Sequence, residues 1–569
     1  IIGEKQGEYT VSRTYDSEGN CTRITSSLGA DIRHTYDLEG NLQSMQAGEN
    51  WQASWIRDKT GLEVQRTFSG GVTVRTERDR FGREVRKSVR AGGIERGAYR
   101  YEWGVAGRLL AKENELTGTL MRYDYDRFDF LIRQEMTNGS ETDVIYRVPD
   151  FVGNLFETLE KKDRKYGPGG RLLEDPSSFY HYDDEGNLIF REFKELQDNA
   201  VPHDRKRMER EHGIHCRATG MGWFYEWASN GMLKKVIRPD GRLVEFRYDA
   251  LGRRTAKRYF GKITCWVWDG NVPLHEWCYK AIGLQSDEEN ISPKEPAEDI
   301  TTWIFEEETL IPTAKIQSDK SYSIVSDYLG TPIQMYDEQG NKVWDCTLDI
   351  YGKVINFTGK SPYDCPFRFQ GQYEDAETGL YYNRFRYYST EIGCYLTHDP
   401  IGLAGGILIY GYVSNPNFYI DPSGESSYRL GKNLEKNGMN HGGKVTFGPN
   451  GNRSTEWQAH HIIPEQVWKE NSDFFKKIGL RGRDSASNGV FLPNSKEVAS
   501  KNNLQYFHYG FHSEYNKNMN NEIIEIQKLY EIESKNLKPN IAKTNAINRI
   551  RNLQNDYRQK MSAYYTCLL

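Results

Sequence analysis

Alternation of apolar and polar residues dominates roughly the first 400 positions of this 569-residue chain. In Leu243–Tyr248, for example, every second residue is polar, and such a period of two predicts a strand with one buried face. A short phrase, Tyr-Asp-x-x-Gly-Asn/Arg, recurs between these stretches. Its aspartate can accept bonds from backbone amides and its glycine can take the left-handed conformation, so each phrase predicts the turn of a β-hairpin. The copies begin at Tyr15, Tyr36, Tyr182, Tyr248 and Tyr336, with a looser copy at Asp79–Arg83.

Hairpins in series cannot bury their faces singly, so the pattern predicts that they pair side by side into one continuous, wound sheet. The composition agrees, because 37 tyrosines and 53 glycines favour short strands joined by tight turns. We therefore expect a mainly β fold. Two segments interrupt the series of hairpins, a charged one around Asp204–His215 and an acidic one at Ser286–Asp299. Both are predicted to be exposed loops.

The character of the chain changes at Glu425, where the Tyr-Asp phrase stops and apolar residues begin to recur at helical spacing. This recurrence predicts two amphipathic helices near the end of the chain that pack against their own domain. The two sets are Ile523, Ile526, Leu529, Tyr530 and Ile547, Ile550, Leu553, Tyr557, Met561, with Pro539 between them. This tail has more Lys and Arg than Asp and Glu, whereas the rest of the chain is acidic. The tail is either a surface for a polyanion or a set of helices solvated by lysine and arginine.

Several classes of protein are disfavoured by the sequence. The eight cysteines are scattered without a Cys-x-x-Cys pair, which indicates neither a disulfide framework nor a zinc ribbon. We expect no membrane segment, because no apolar run approaches the roughly 18 residues that a spanning helix needs. The chain begins at Ile1 without a signal-peptide pattern, and we expect it to be a piece of a longer polypeptide.

The tail contains a set of histidines that suits nuclease chemistry. His460 and His461 are adjacent, and His508 and His512 follow four residues apart. Cleavage of a phosphodiester needs a cation to neutralise the phosphate and a base to take a proton from water. Adjacent residues on a strand point to opposite faces, so His460 can face a metal while His461 faces the water. His508 and His512 can share one helical face and complete the ligands, although Gly510 between them weakens a helix.

An alternative for these histidines is a structural zinc site, because each histidine taken alone is an ordinary polar residue. The order of His-His-x-x-Pro, Asn488-Gly489 and His-x-x-x-His along the chain favours the nuclease interpretation.

The first part of the chain resembles the YD-repeat, or Rhs, family. The resemblance covers residues 1 to about 424, and its most specific stretches are Phe367–Tyr373, Thr378–Arg384 and Arg386–Tyr388. It implies a large hollow β-shell, wound from a spiralling ribbon of hairpins, that encloses a C-terminal toxin. On this basis we expect a shell at residues 1–395, a closing segment at 396–424 and a toxin domain at 425–569.

Two Asp-Pro-x-Gly phrases, starting at Asp399 and Asp421, resemble the boundary signature of the same family. The resemblance implies that the chain cuts itself between Gly424 and Glu425, with the two aspartates as acid and base and Arg386 as the group that polarises the carbonyl. Glu425 departs from the leucine that is usual after the last glycine, which puts the efficiency of cleavage in question. The alternative is that both phrases merely form tight turns that plug the shell.

The tail is similar to the Ala-His-His branch of the HNH/endonuclease VII superfamily over about residues 440–520, on the segments Trp457–Pro464, Asn488–Pro493 and His508–Tyr515. The resemblance implies a small α+β domain with a ββα-metal core and one divalent ion, Mg, Zn or Ni, held by His460, His508 and His512. It also implies that Asn488 fixes the loop that carries His461, the catalytic base. The predicted contacts to nucleic acid are Arg481, Arg483, Lys496 and Lys501.

Together these resemblances imply an antibacterial toxin that carries a metal-dependent nuclease, with DNA the favoured substrate. We expect a secreted protein whose tail acts in the cytoplasm of a target cell. The implied partners are a cognate immunity protein and components of a type VI secretion apparatus of the VgrG and PAAR kind. The competing interpretation is a cell-surface YD-repeat module that binds glycan or protein, with a tail that holds structural zinc.

Overall fold

The computed structural model describes residues 2–280, 299–400, 409–424, 457–480, 489–493, 513–536 and 541–554, apart from positions 39, 60, 105–106, 128–129, 151, 308, 423, 462, 464, 544, 548 and 552. The chain divides into two compact units. The first unit comprises Ile1–Asp58, Leu62–Asp79 and Glu84–Ser426, and the second comprises Lys59–Gly61, Arg80–Arg83 and Ser427–Leu569.

The first unit is built from antiparallel sheets in which each strand pairs with the next strand along the chain. One large sheet has 14 strands: β1 Gly3–Gln6, β2 Tyr9–Tyr15, β3 Cys21–Ser26, β4 Asp31–Tyr36, β5 Leu42–Ala47, β6 Trp51–Arg57, β7 Glu63–Phe68, β8 Val72–Arg78, β9 Glu84–Ala91, β10 Ile94–Trp103, β11 Leu109–Asn114, β12 Thr119–Tyr125, β13 Leu131–Asn138 and β14 Glu141–Tyr146. A two-stranded sheet follows, with β15 Val148–Pro149 and β16 Leu155–Phe156.

A second large sheet has 16 strands: β17 Lys165–Tyr166, β18 Leu172–Glu174, β19 Ser178–Tyr182, β20 Leu188–Phe193, β21 Gly222–Trp227, β22 Leu233–Ile237, β23 Leu243–Tyr248, β24 Arg254–Tyr259, β25 Lys262–Asp269, β26 Val272–Lys280, β27 Thr301–Phe305, β28 Pro312–Gln317, β29 Lys320–Ser326, β30 Pro332–Asp337, β31 Lys342–Leu348 and β32 Val354–Thr358. The last sheet has four strands: β33 Tyr373–Glu374, β34 Leu380–Asn383, β35 Arg386–Ser389 and β36 Cys394–Tyr395.

The prediction of a mainly β fold made of serial hairpins is confirmed, but the strands form two large sheets instead of one. The first large sheet ends at β14, and the next strand along the chain, β15, contains Pro149. Proline lacks a backbone N–H, so it cannot donate to a neighbouring strand, and it marks the point at which a sheet stops growing. Short 3-10 turns occur at Ser69–Gly71, Pro168–Gly170 and Pro362–Asp364.

The recurring turns have the hydrogen bonds that the phrase predicts. In all five copies, Oδ1 of the aspartate accepts from the backbone amide four residues later, at 2.7–2.8 Å. The glycine adopts a positive φ, as at Gly252 with φ 73°, which most side chains avoid. The tyrosine hydroxyl reaches back to the preceding hairpin, since Tyr36 donates to the carbonyl of Cys21 at 2.7 Å and Tyr248 to that of Leu233 at 2.8 Å. In these two copies the phrase therefore joins two successive hairpins, whereas the hydroxyl of Tyr336 donates to Oε1 of Gln334 in its own strand.

A core cluster buries side chains from both large sheets against one another. Trp51 of β6 is 1% exposed, and its indole Nε1 donates to Oγ of Ser323 in β29 at 3.0 Å. This side chain contributes both apolar burial and a hydrogen bond between the two sheets.

We expect Trp51→Ala to destabilise the first unit by about 3–5 kcal/mol, because the substitution leaves a large cavity and removes the partner of Ser323. Urea unfolding followed by circular dichroism measures the change. Leu38→Ala is the control, since Leu38 is fully exposed in a turn. Equal unfolding midpoints for the two variants would contradict this role of Trp51.

The charged insertion of the first unit contains a helix, which corrects the prediction of a loop there. Helix α1 spans Arg205–His212. Asp204 caps it by accepting from the amides of Lys206 and Arg207, and Gly213 ends it in the left-handed conformation. Met208 is the buried residue of this helix and packs in a cluster with Phe190 and Phe224. The acidic segment Ser286–Asp299 lies almost wholly outside the described residues.

In the described part of the second unit, three helices and a two-stranded sheet have defined ends. They are α2 Glu465–Glu470, α3 Ser472–Ile478, α4 Ser513–Asn536, β37 Trp457–His461 and β38 Gly489–Pro493, and further helical residues lie between 541 and 554. The first of the two predicted amphipathic helices is present as α4, where Ile523, Ile526 and Tyr530 are buried in one cluster with Ile550, whereas Leu529 of the predicted set is 44% exposed. No helix in the described part of the chain is long and apolar enough to span a bilayer.

Candidate functional site

The four-stranded sheet positions the residues of the junction. Asn383 ends β34 and Arg386 begins β35, and the two are paired across a tight turn. Arg384 in this turn has φ 57°, a left-handed conformation that is costly for a residue with a side chain. The turn fixes Asn383 and Arg386 beside each other at one end of the sheet.

A single guanidinium nitrogen holds both predicted aspartates. Nη2 of Arg386 donates to Oδ2 of Asp399 at 3.2 Å and to Oδ2 of Asp421 at 3.1 Å. All three side chains are at most 3% exposed. Buried carboxylates are costly unless a charge and hydrogen bonds compensate them, and Arg386 provides both. The structure therefore brings together the three residues that the family resemblance assigns to self-cleavage.

The same arginine reaches the carbonyl at which the chain is predicted to be cut. Nε of Arg386 donates to the carbonyl oxygen of Gly424, and Nη1 donates to the carbonyl of Ile409 at 3.1 Å. Gly424 is buried with φ 70°, and a Cβ there would lie 2.5 Å from the carbonyl oxygen of Asn383. Only glycine fits this close approach. Glu425 lies outside the described residues.

Two further residues, Tyr395 and Asn383, contact Asp421 and were missed from the sequence. The hydroxyl of Tyr395 donates to Oδ2 of Asp421 at 2.8 Å, and Nδ2 of Asn383 donates to the Asp421 carbonyl at 2.7 Å. Burial, followed by the charge of Asp421, raises the pKa of Tyr395 well above its usual value. The guanidinium of Arg386 lies over the Tyr395 ring, 3.7 Å from its centroid. Asn383 falls within a family-specific stretch, which is the one signal for it in the sequence.

The segment that carries Asp421, residues 409–424, is anchored by hydrogen bonds to its backbone carbonyls. Arg147, 2% exposed, donates to the carbonyls of Ser414 at 3.0 Å and Val413 at 2.6 Å. Burial lowers the pKa of Arg147. The hydroxyl of Tyr328 donates to the carbonyl of Asn417 at 2.8 Å. These contacts hold the part of the segment that precedes the aspartate in place.

The backbone of the second unit places the adjacent histidines on β37. His460 pairs with Val490 and His461 pairs with Gly489 in β38. The predicted short strand at Val490–Leu492 is thus present, and Asn488 immediately precedes the partner of His461. Helix α4 begins at Ser513, directly after His512. The predicted site residues Asn488, His508, His512, Arg481, Arg483, Lys496 and Lys501 lie outside the described residues.

Comparison with known families identifies both parts of the chain. The teneurin YD-shell model matches residues 69–403, and the model of a nuclease family of the HNH/endonuclease VII superfamily with conserved Ala-His-His matches residues 442–556. The chain belongs to the YD-shell family of Rhs proteins and carries an Ala-His-His nuclease domain. Both resemblances seen in the sequence are confirmed.

Curated relatives of the chain include bacterial Rhs proteins and toxins. It is 28% identical over 450 residues to the probable deoxyribonuclease RhsB of Dickeya dadantii, covering 75% of this chain and 28% of that protein. It is 29% identical over 461 residues to the double-stranded DNA deaminase toxin A of Burkholderia cenocepacia, covering 76% and 30%. It is 28% identical over 491 residues to toxin protein Tse5 of Pseudomonas aeruginosa, covering 73% and 36%. The chain thus spans about a third of their lengths.

A solved structure shares the fold. The Photorhabdus luminescens Tc holotoxin pore matches with a TM-score of 0.53 and 16% identity, over 74% of this chain and 21% of that one. Relatives with similar coverage are named for different chemistries, a deoxyribonuclease and a deaminase. The activity of the tail must therefore be inferred from the tail itself, where the nuclease family matches.

Proposed function

We propose that the tail is a metal-dependent endonuclease acting on DNA. The observation that carries the proposal is the match of residues 442–556 to the Ala-His-His nuclease family. The register of β37 and β38 supports it, because His461 lies opposite the residue that follows Asn488. A relative that aligns with 75% of this chain is named a probable deoxyribonuclease, which favours DNA as the substrate.

The residues assigned to the metal fit a divalent cation. His460, His508 and His512 offer imidazole nitrogens, which suit zinc and nickel better than magnesium. When bound, the ion would stabilise the negative charge that develops on the phosphate. His461 would take a proton from the attacking water, which a neutral imidazole can do near neutral pH. Asn488 would hold the segment carrying His461, and Arg481, Arg483, Lys496 and Lys501 would contact the phosphate backbone.

Nicking of supercoiled plasmid by the purified chain tests this proposal. We expect nicking with at least one of Mg²⁺, Zn²⁺ or Ni²⁺ added singly, and loss of nicking after a chelator. Circular dichroism before and after chelation separates the alternatives. A tail that keeps its helices but loses activity supports a catalytic ion, whereas a tail that unfolds indicates structural zinc. Absence of nicking with every ion, also after denaturation and refolding have freed the tail from the shell, would count against a nuclease.

We further propose that the chain hydrolyses its own peptide bond between Gly424 and Glu425. Arg386 donates to the Gly424 carbonyl oxygen and would stabilise the charge that develops there. One carboxylate of the pair Asp399 and Asp421 takes a proton from water, whose oxygen bonds to the carbonyl carbon of Gly424. The other carboxyl gives a proton to the nitrogen of Glu425 as the C–N bond breaks. The products are a carboxylate on Gly424 and an amine on Glu425.

The intact mass of the purified chain tests this second proposal. We expect two polypeptides whose masses place the break after Gly424. A single uncut mass under native conditions would contradict it and would favour the interpretation of both Asp-Pro-x-Gly phrases as plain turns.

We propose that the whole protein is an antibacterial toxin whose shell sequesters the nuclease until delivery into a target cell. Relatives named as toxins support this role. Delivery by a type VI apparatus of the VgrG and PAAR kind, action in the cytoplasm of the target cell, and a cognate immunity protein belong to the same proposal. An immunity protein follows from the chemistry, because the nucleic acid of the producing cell is equally open to cleavage.

A further inference from the structure

We propose that Tyr395, oriented by Asn383, is a positioning residue that keeps Asp421 ionised, so that Asp421 is the carboxylate that takes the proton from water. This inference rests on the proposed self-cleavage and deepens it. It assigns unequal roles to two aspartates that the boundary phrases leave equivalent.

The direction of the hydrogen bonds around Tyr395 is set by Asn383. Nδ2 of Asn383 lies 2.7 Å from the backbone carbonyl of Asp421, and a carbonyl can only accept. The same Nδ2 lies 2.6 Å from the phenol oxygen of Tyr395, which therefore accepts from the amide. The hydroxyl hydrogen of Tyr395 is left to donate to Oδ2 of Asp421, at 2.8 Å.

This arrangement has a cost that stability alone does not explain. Asn383 is 0% exposed, and its Oδ1 has no hydrogen-bond partner among the residues that the structure describes. A buried acceptor without a partner costs about 1–3 kcal/mol. The amide nevertheless points its Nδ2 toward Asp421 and Tyr395. In this orientation it leaves the Tyr395 hydroxyl to donate to the Asp421 carboxylate.

Among the residues that the structure describes, charged and titratable groups from four parts of the chain face Asp421. They are Arg386 of β35, Tyr395 of β36, Asp399, and Tyr412, whose hydroxyl lies 3.5 Å from the Asp421 amide. Arg386 bonds both aspartates through one nitrogen, so it does not distinguish between them. The Tyr395 hydroxyl donates to Asp421, and a hydrogen bond to the charged form favours ionisation.

Two neighbouring carboxyl groups share a proton in preference to ionising together. With Asp421 as the base, Asp399 is the acid of the pair and gives the shared proton to the nitrogen of Glu425 as the peptide bond breaks. Because the Tyr395 pKa lies well above neutrality, its hydroxyl keeps donating through the whole pH range of the reaction.

The test is the pH dependence of self-cleavage in the full chain. Wild type and Tyr395→Phe are made in a short cell-free pulse, exchanged into buffers from acidic to mildly alkaline pH, and sampled over time on gels. Removing the hydroxyl destabilises the ionised form of Asp421 and so raises the pKa of its carboxyl. We expect the acidic limb of the rate profile to move upward by about one pH unit, which slows cleavage roughly tenfold on that limb.

Tyr388→Phe is the matched control. Tyr388 is equally buried and its ring lies 5.8 Å from that of Tyr395, but its hydroxyl donates to the Tyr351 carbonyl at 2.9 Å. We expect this variant to keep the wild-type pH profile. Asn383→Leu, which cannot orient the phenol, should move the limb in the same direction as Tyr395→Phe.

The outcomes separate this inference from the proposal on which it rests. An uncut wild-type chain at every pH would defeat self-cleavage itself. A wild type that cuts while Tyr395→Phe keeps the same profile would overturn only the role of Tyr395. An equal displacement in Tyr388→Phe would also overturn it, since the effect would then follow from packing. Resistance to a low dose of protease shows that each variant is folded.

Discussion

The Asp421→Asn variant is expected to remain a single uncut polypeptide under conditions in which the wild-type chain separates after Gly424. Asparagine has nearly the same shape as aspartate but cannot take a proton from water. Loss of one general base typically slows a reaction by about 10²–10⁴-fold. Arg386 keeps its hydrogen bond to Asp399, so the junction is expected to stay folded.

Asp349→Asn is a suitable control for the loss of a buried carboxylate. Asp349 is 7% exposed, and burial raises its pKa to about 6. Its Oδ1 accepts from the amides of Tyr351 and Lys353, bonds that an asparagine oxygen also accepts. We expect this variant to cut at the wild-type rate in an intact-mass time course. Cleavage of Asp421→Asn at that same rate would remove Asp421 from the mechanism.

The turns and the aspartate pair were predictable because their chemistry is local. Asp249 accepts from the amide of Arg253 only four residues away, so the phrase itself contains the turn. Asp399 and Asp421 were predictable because each starts a recognisable phrase, and the structure places both on Arg386.

The contacts of Tyr395 and Asn383 with Asp421 could not be predicted in this way. They join residues 26 and 38 positions apart, and they depend on the register of β34 to β36. The sequence within either segment does not specify that register. One tyrosine among 37 also carries no distinguishing signal.

The prediction of a loop at helix α1 was wrong for a different reason, since the residues that cap a helix were present in the sequence. Asp204 is a favourable N-cap and Gly213 a favourable C-terminal residue. The segment between them is highly charged, and it lacks the apolar stripe by which longer helices are recognised. The helix is instead stabilised by its single buried side chain, Met208, which packs in a cluster formed by the neighbouring strands.

The His461→Ala variant is expected to lose plasmid nicking by at least about 10²-fold, because alanine cannot take the proton of the attacking water. His461 is assigned to the water and His460 to the cation. His461→Ala should therefore retain the bound metal, whereas His460→Ala should lose both metal and activity. Nicking assays and metal content by mass spectrometry, measured on the same preparations, distinguish the two roles.

His441→Ala is the matched control, since His441 directly precedes the matched nuclease segment at residues 442–556. We expect it to nick like the wild type. Nicking retained by His461→Ala would show that another group activates the water. Loss of metal from His461→Ala would instead assign His461 to the cation. The roles of the two adjacent histidines would then be reversed, with His460 activating the water.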